Sequence, residues 1–413
     1  MRIFSLLSGP RFVSQKAITV GFPFSGDDIG GSHISALNLI SSFDRDRITP
    51  IVFVHHPRKA LSRYLDENKI DYVTIEDIDI LSPQRDRPFA TQSFSALRYP
   101  ISMVKIIKLL RRHKIDIVHT NDGAIHTTWA LPTYLAGAKL LWHHRGDPRA
   151  RAVNMLAPLL AKHVVTVSRF AQPAKPLLPL EGRISVLHSP FRHPDQIPDR
   201  EESRLALVRE LGLPEETRFV GYFGLLNERK RPLRFVEAVH AFHRSNPDFP
   251  IAGLLFGAPE QAGPRLDLET AERALALGIA DKIHLMGFRH PVAPYMCAVD
   301  ILLVPAMSEP FGRTLIEAMM YGTPVVATNH GGNPEAIEND VTGFLVEPEN
   351  PEAFVAPMER LLKDRNEWQR ISETARTSTL AAYGIKPHVD GIVSIYQRIL
   401  GRRPSDISAH AAH

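Results

Sequence analysis

Glu309-Pro-Phe-Gly-Arg-Thr-Leu-Ile-Glu317 sets two carboxylates eight positions apart, across the join between a strand and a helix. The apolar run Asp300–Pro305 before it reads as a buried strand, and Thr314–Tyr321 after it as a helix closed by Gly322 and Pro324. Glu309 then lies in the loop at the carboxyl end of the strand. Glu317 lies on the second helical turn, facing back toward that loop. Between them the backbone N–H groups of Gly312, Arg313, Thr314 and Leu315 stand at a helix start, where four amides lack helical acceptors and anions are favoured. Two acceptors for sugar hydroxyls beside a phosphate cradle are what a sugar nucleotide requires. Plainer readings stand beside this one: Arg313 and Glu317 have the spacing of a surface ion pair, and Glu309 suits a positive helix end.

The stretch resembles the Glu-x7-Glu signature of the retaining glycosyltransferases of family 4 (group 1), which have the GT-B fold. The likeness continues through Phe219–Pro232, Ile283–Phe288, Gly322–Ala327, Gly331–Glu335 and Gly343–Val346, in order and spacing. It is thinner in the first half, at Gly30-Gly31-Ser32 and Val164–Ser168, and covers roughly residues 17–400. The resemblance implies an α/β protein of two Rossmann-like domains facing a cleft. It implies a hexose moved from a nucleotide diphosphate sugar to a hydroxyl acceptor, with retention and without a metal or other cofactor. Polysaccharide, lipopolysaccharide or glycolipid assembly is the class of pathway to which such enzymes belong.

Composition agrees with two domains, since 413 residues exceed one ordinary core. With 44% hydrophobic and 23% charged residues the chain is of globular type, and no apolar run reaches the length of a membrane span. In residues 1–16 the apolar part, Ile3 to Leu7, is short for a signal peptide. A single cysteine, Cys297, leaves no internal disulfide, reads as a buried small hydrophobe, and fits a cytoplasmic setting. The net charge of +4 suits anionic ligands or an anionic membrane surface and is too small to argue for nucleic acid.

Short apolar runs alternate with longer amphipathic ones, the pattern of parallel α/β units. Strands are expected at 18–22, 49–54, 71–75, 115–119, 139–143, 164–167 and 184–187, and helices at 35–43, 60–68, 97–113 and 127–136. The proline-rich Phe191–Asp199 reads as a linker. A second set of strands follows at 218–223, 251–256, 282–285, 301–304, 324–328 and 343–346. The expected division is an acceptor-side domain over 1–190, a nucleotide-sugar domain over 191–385, and over 386–413 a helix crossing back to the first domain with a frayed tail.

The chemistry defines the remaining candidates. Breaking a glycosyl bond to diphosphate builds negative charge on phosphate and positive charge on the anomeric carbon, so fixed donors and reacting geometry are needed. By resemblance Lys230 is the phosphate lysine beyond the Gly224 turn; a solvated loop charge is the alternative. The family often has an arginine directly after that glycine, where this chain has Leu225; Arg229 and Arg231 are the candidates to supply the missing charge. By resemblance Glu317 takes the ribose hydroxyls, Glu309 the sugar hydroxyls near the reacting face, and the backbone of Phe311 to Leu315 the phosphates. Phe288 and Arg289 are base-edge neighbours. Gly30 and Gly31 let backbone approach the diphosphate or acceptor, or form only a tight turn. After the strand ending at His143, either His144 or Arg145 faces the sugar; a capped strand end is the plainer view. His119 and Asn121 line an acceptor cleft or close a turn.

Despite 19 histidines no spacing supports a zinc site. Asp44-Arg-Asp46 and Asp77-Ile-Asp79 mimic a metal-binding Asp-x-Asp outside the expected context. The basic face Lys105, Lys108, Arg111, Arg112 and Lys114 could dock peripherally on anionic lipid or simply face water. The rival functions are a non-catalytic nucleotide-sugar binder and a GT-B-like sugar-nucleotide epimerase.

Overall fold

The computed structural model describes residues 16–26, 29–57, 59–81, 89–194, 196–260 and 263–402. Most of the segment tested for a signal peptide, the acidic pair Asp27-Asp28, and nearly all of the expected frayed tail lie outside the described residues.

The first sheet draws on β1 (Ile18–Phe24), β2 (Ile48–Val54), β3 (Tyr72–Thr74), β4 (Ile117–Thr120), β5 (Lys139–His144), β6 (His163–Thr166) and β7 (Ile184–Val186). Helices α1 (Gly31–Ser41), α2 (Ala60–Glu67), α3 (Phe89–Arg112), α4 (Gly123–Ala136) and α5 (Arg151–Leu160) connect them. The strand order is β3-β2-β1-β4-β5-β6-β7, and the pairings β1–β2, β1–β4, β2–β3 and β6–β7 run parallel. α1 and α4 each begin four residues before the expected starts, and two other helices depart further. α3 begins eight residues early and carries Pro100 inside it. α5 was not anticipated, because its entry residue Ala150 offers no side-chain cap and Pro158 sits within it.

After α6 (Arg200–Leu211), the second sheet comprises β8 (Arg218–Phe223), β9 (Ile251–Phe256), β10 (Ile283–Gly287), β11 (Ile301–Val304), β12 (Val325–Thr328) and β13 (Phe344–Val346). Its helices are α7 (Pro232–Ser245), α8 (Leu266–Ala276), α9 (Ala293–Ala298), α10 (Arg313–Met320), α11 (Asn333–Ala336), α12 (Val355–Lys363), α13 (Arg365–Ala382) and α14 (Ile385–Leu400). The order is β10-β9-β8-β11-β12-β13, parallel throughout.

Alternation along the central strands shows why both faces are covered. Phe219 and Phe223, Leu254 and Phe256, Leu302 and Val304 enter one core cluster; Val220 and Tyr222, Ile251 and Leu255, Ile301 and Leu303 enter the other. A strand buried on both sides has no polar face, which is why these runs are continuously apolar in the sequence.

By packing, the chain forms two compact units. One contains the residues up to Ile29 and Ile40–Leu141; the other contains Gly30–Leu39 and everything from Trp142 onward. The candidate site lies wholly within the second unit.

Candidate functional site

In the second sheet the strand order reverses between β8 and β11, and ligands of open α/β sheets bind beyond the carboxyl ends of strands at such a point. The loops leaving these two strands carry Arg229 and Lys230 on one side and Glu309 on the other. They meet across the switch point: Lys230 Nζ lies 3.2 Å from Glu309 Oε2, and Arg229 donates to the same oxygen. Glu309 and Lys230 are nearly buried, with side chains 10% and 12% exposed. Burial alone would raise the Glu309 pKa, but Lys230 and then Arg229 more than offset it and hold the carboxyl below the ordinary glutamate value. The site therefore presents an ionised carboxylate between two cations.

The Glu309 loop is fastened from two directions. Gly332 N–H donates to Glu309 O at 2.8 Å, and the Ser168 hydroxyl donates to Pro310 O at 2.5 Å. A Cβ on Gly331 would stand 2.6 Å from Glu309 O, and one on Gly332 2.7 Å from Pro310 O, so only glycine admits this approach. Glu335, at the end of the same motif, accepts from the amides of Arg169 and Phe170 at 2.9 and 3.0 Å and lies 3.4 Å from His188 Nε2. The sequence showed Gly331–Glu335 and Val164–Ser168 as separate stretches; they are two halves of one clamp.

At α10 the N-cap Gly312 has φ of 77° and no side-chain cap. The first amides of the helix, from Arg313 through Leu315, thus have neither a helical acceptor nor a capping oxygen. Leu315 and the Phe311 ring are buried, the latter stacked on His188 at 4.9 Å, so only their backbones are offered. Arg313 reaches Glu317 at 3.3 Å, as the helical spacing suggested. It also donates to Ser35 Oγ at 2.6 Å and Pro190 O at 3.4 Å, and its guanidinium lies 4.2 Å from the centre of the Phe191 ring. This is no solvated surface pair. Burial pushes the Glu317 carboxyl up while Arg313 pulls it back.

β5 separates its two candidates by alternation. Arg145 donates to Ser189 Oγ at 3.1 Å and approaches His143 Nδ1 at 3.3 Å; burial and the nearby Arg313 lower its pKa to about 9. His144 instead lies 3.0 Å from Asp147 O, closing the turn, and burial lowers its pKa. Arg145 is therefore the one drawn toward the α10 start. Gly31 belongs there too, since a Cβ on it would meet Arg313 Cδ at 2.8 Å, whereas the Gly30 amide is taken by His33 at 3.1 Å.

Other candidates are placed plainly. Of the two arginines named for the charge missing at Leu225, Arg229 pairs with Glu309, while Arg231 turns away to Glu349. Gly224 backs Lys230, with Cε 3.5 Å from where a Cβ would sit. Phe288 stands 78% exposed beyond β10, and Arg289 pairs with Glu210 at 2.5 Å rather than standing free for a base. His119 and Asn121 are buried in the other unit, Asn121 Nδ2 donating to His119 O at 3.4 Å. Asp77 and Asp79 pair with Lys105 and Arg98, the role of surface acids. Among the described residues no group of three His, Cys, Asp or Glu side chains is arranged to hold a metal. Cys297 is buried, and burial raises its pKa to about 11.

Residues 203–378 match the family described as glycosyl transferases group 1. The matched segment contains Arg229, Lys230, Glu309 and Glu317. A relative named D-inositol 3-phosphate glycosyltransferase, from Corynebacterium glutamicum, is 36% identical over 171 residues, 40% of this chain and 40% of its own length. One of the same name from Corynebacterium urealyticum is 30% identical over 205 residues, 49% of this chain and 48% of that one. The chain thus spans less than half the length of these curated relatives. Among solved structures, the HepE protein of Anabaena in complex with UDP and glucose superposes with a TM-score of 0.74 at 21% identity, over 92% of this chain and 99% of that one. Sucrose-phosphate synthase of Thermosynechococcus elongatus gives 0.69 at 17% identity, over 93% and 99%. At such identity the likeness establishes the fold, which is GT-B.

One residue beyond the matched segment was not legible in the sequence. His388 on α14 is buried, its Nδ1 2.8 Å from His188 O and its ring 6.0 Å from that of His143; burial and then Arg145 lower its pKa to about 3. The unfolded chain binds this proton near pH 6.5, the folded chain only near 3. The contribution to stability is complete above pH 6.5 and is lost as pH falls toward 3. Between pH 6.5 and about 5 it amounts to about 2 kcal/mol. Thermal unfolding of wild type against His388→Gln over this range should show a shallower pH slope in the variant; equal slopes would remove His388 as the cause.

Proposed function

We propose that the chain is a retaining hexosyltransferase. It moves a hexose from a nucleotide diphosphate sugar to a hydroxyl of a carbohydrate or lipid-linked acceptor, in polysaccharide, lipopolysaccharide or glycolipid assembly. The observation that carries this reading is the ionised Glu309, held by Lys230 and Arg229 eight residues before Glu317, with an uncapped helix start between the two carboxylates. As the glycosyl bond lengthens, Lys230, Arg229 and the α10 amides take the charge growing on the diphosphate. Glu309 takes sugar hydroxyls next to the carbon that becomes positive, and Glu317 takes the ribose. Arg145 steadies the sugar or acceptor from the β5 end. With that many fixed donors on the leaving group, a metal is not required. Residues 1–190 would serve the acceptor and 191–385 the donor, in a cytoplasmic setting. The complex of Anabaena HepE with UDP and glucose favours a uridine donor carrying glucose, and the names of the Corynebacterium relatives favour an acceptor of polyol phosphate type.

A thermal-shift series with UDP, GDP, ADP and their sugar conjugates tests the donor side, because a ligand of the native state must raise the melting temperature. UDP compounds are expected to stabilise the wild type. Glu317→Ala should weaken them about tenfold or more, about 1.4 kcal/mol. Turnover should persist in EDTA. No shift with any nucleotide at millimolar concentration would end the proposal.

A further inference from the structure

Helices α3 and α4 pack together in the first unit, and two hydrogen bonds fix their mutual register: Tyr99 OH to Thr128 O at 2.8 Å and Arg111 to Leu135 O at 3.2 Å. Between these ties both helices expose large apolar side chains at helical spacing. On α3 they are Ile101 and Val104; on α4, Leu131, Tyr134 and Leu135, with Ile101 61% and Tyr134 64% exposed. Scattered exposed apolar residues need no explanation, but a cluster across two packed helices marks a contact surface.

The charges around it identify the contact. From Pro88 to Ile115 the chain has no Asp or Glu, and α4 has none either. The same stretch carries Arg98, Lys105, Lys108, Arg111 and Arg112 on α3, and Lys114 just beyond it. Arg98 and Lys105 are partly neutralised by Asp79 and Asp77, at 3.4 and 4.0 Å. For Lys108, Arg111, Arg112 and Lys114 no ion pair is found among the described residues, and all four are exposed. At the carboxyl ends of the two helices a recess of about 290 Å³ is lined by Lys16, Arg111 and Lys114, with Asp116 and Gly137. The Asp116 carboxylate is already engaged by the Thr19 amide at 2.9 Å. Apolar side chains interleaved with unopposed cations, a tyrosine at the margin and a cationic recess the size of a head group form a surface of one kind.

We infer that the α3–α4 face docks on an anionic lipid bilayer, Ile101, Val104, Leu131 and Leu135 entering the acyl boundary and Lys108, Arg111, Arg112 and Lys114 meeting lipid phosphates. A protein partner fits less well, because the buried centre of a protein interface is depleted in charge, and here cations run through the apolar cluster. Interfacial helices have this composition: aliphatic residues on one side, Lys and Arg beside them, and aromatic tips at head-group level. The inference stands apart from the reaction proposed above.

Co-sedimentation of the full chain with phosphatidylcholine vesicles, and with vesicles also containing phosphatidylglycerol, tests it. Binding is expected to the anionic vesicles, to weaken as salt is raised, and to be slight on neutral ones. Lys108→Glu with Arg112→Glu should lower binding by more than about tenfold, at about one kilocalorie for each cation removed. Ile101→Asp with Val104→Asp should do the same while leaving the melting temperature and the nucleotide response near wild type, since Ile101 is 61% and Val104 48% exposed. Lys108→Ala with Arg112→Ala serves as the milder pair should the reversals perturb folding. Absence of binding to anionic vesicles, equal binding by all variants, or a self-association through this face without vesicle binding would each overturn the inference.

Discussion

Glu309→Gln is expected to lower sugar transfer by about 10³-fold while nucleotide affinity stays within a few-fold of wild type. The amide keeps the size and hydrogen-bonding reach of the carboxyl but removes its charge. In this site the charge is the working part: Lys230 and Arg229 hold Glu309 ionised despite its burial. On the proposed mechanism the loss should fall on kcat, where positive charge develops at the anomeric carbon, rather than on donor binding, which that proposal gives to Glu317 and the α10 amides. Folding is expected to suffer by about 1–3 kcal/mol, because Lys230 is left buried without its counter-charge. Lys230→Met in the same chain should recover part of that stability and none of the activity. Steady-state kinetics with the donor identified by the shift series reads the result. A kcat within tenfold of wild type would move Glu309 from the reacting centre to a purely structural role.

The strands of both sheets were legible because each is a short apolar run buried on both faces, and a run such as Ile301–Val304 can hardly be anything else. Element ends were less so. β3 shrank to Tyr72–Thr74, and α3 grew past Pro100, which local preference would have placed near a helix start. α6 carries readable signals, the N-cap Asp199 accepting from Glu202 N–H and Gly212 in the left-handed region behind it, but it follows directly on a proline-rich linker that has no helical period. In the site, Glu309, Glu317 and Lys230 were legible because their loops have local signatures at the ends of strands. What could not be read was who touches whom. Ser35 meets Arg313 across 278 positions, Ser168 meets Pro310 across 142, and His388 meets His188 across 200. Such pairs have no period and no spacing; they exist only once the sheets have stacked their loops together. The choice between His144 and Arg145 was of the same kind. β5 ends at His144, and one position along the extended chain there decides which way a side chain faces.

Arg313→Ala should destabilise the second unit, and the origin of the loss can be separated from that of a mere surface pair. Arg313 is the first residue of α10 and spends its guanidinium on four neighbours: Ser35, Pro190, Phe191 and Glu317. Ser35 is fully buried, and its hydroxyl would lose the Arg313 donor while keeping its own bond to Gly31 O at 2.9 Å. Glu317 keeps a third of its side chain in solvent, which softens the cost of isolating it. Together these place the expected loss at about 1–3 kcal/mol, short of what a fully enclosed pair would give. Arg313→Lys should recover little of it, because an ammonium cannot serve several acceptors in a plane or lie flat on the Phe191 ring. Combining Arg313→Ala with Glu317→Gln should then cost less than the two changes added, since the second removes the carboxylate that the first leaves unpaired. Urea unfolding of the four proteins measures this coupling. Strict additivity would mean that Arg313 acts through Ser35 and Phe191 alone, leaving Glu317 as free to take a ribose with Arg313 as without it. Substantial coupling would mean that binding a nucleotide must first draw Glu317 away from Arg313, so that Arg313→Ala, though less stable, should bind nucleotide no more weakly than the wild type.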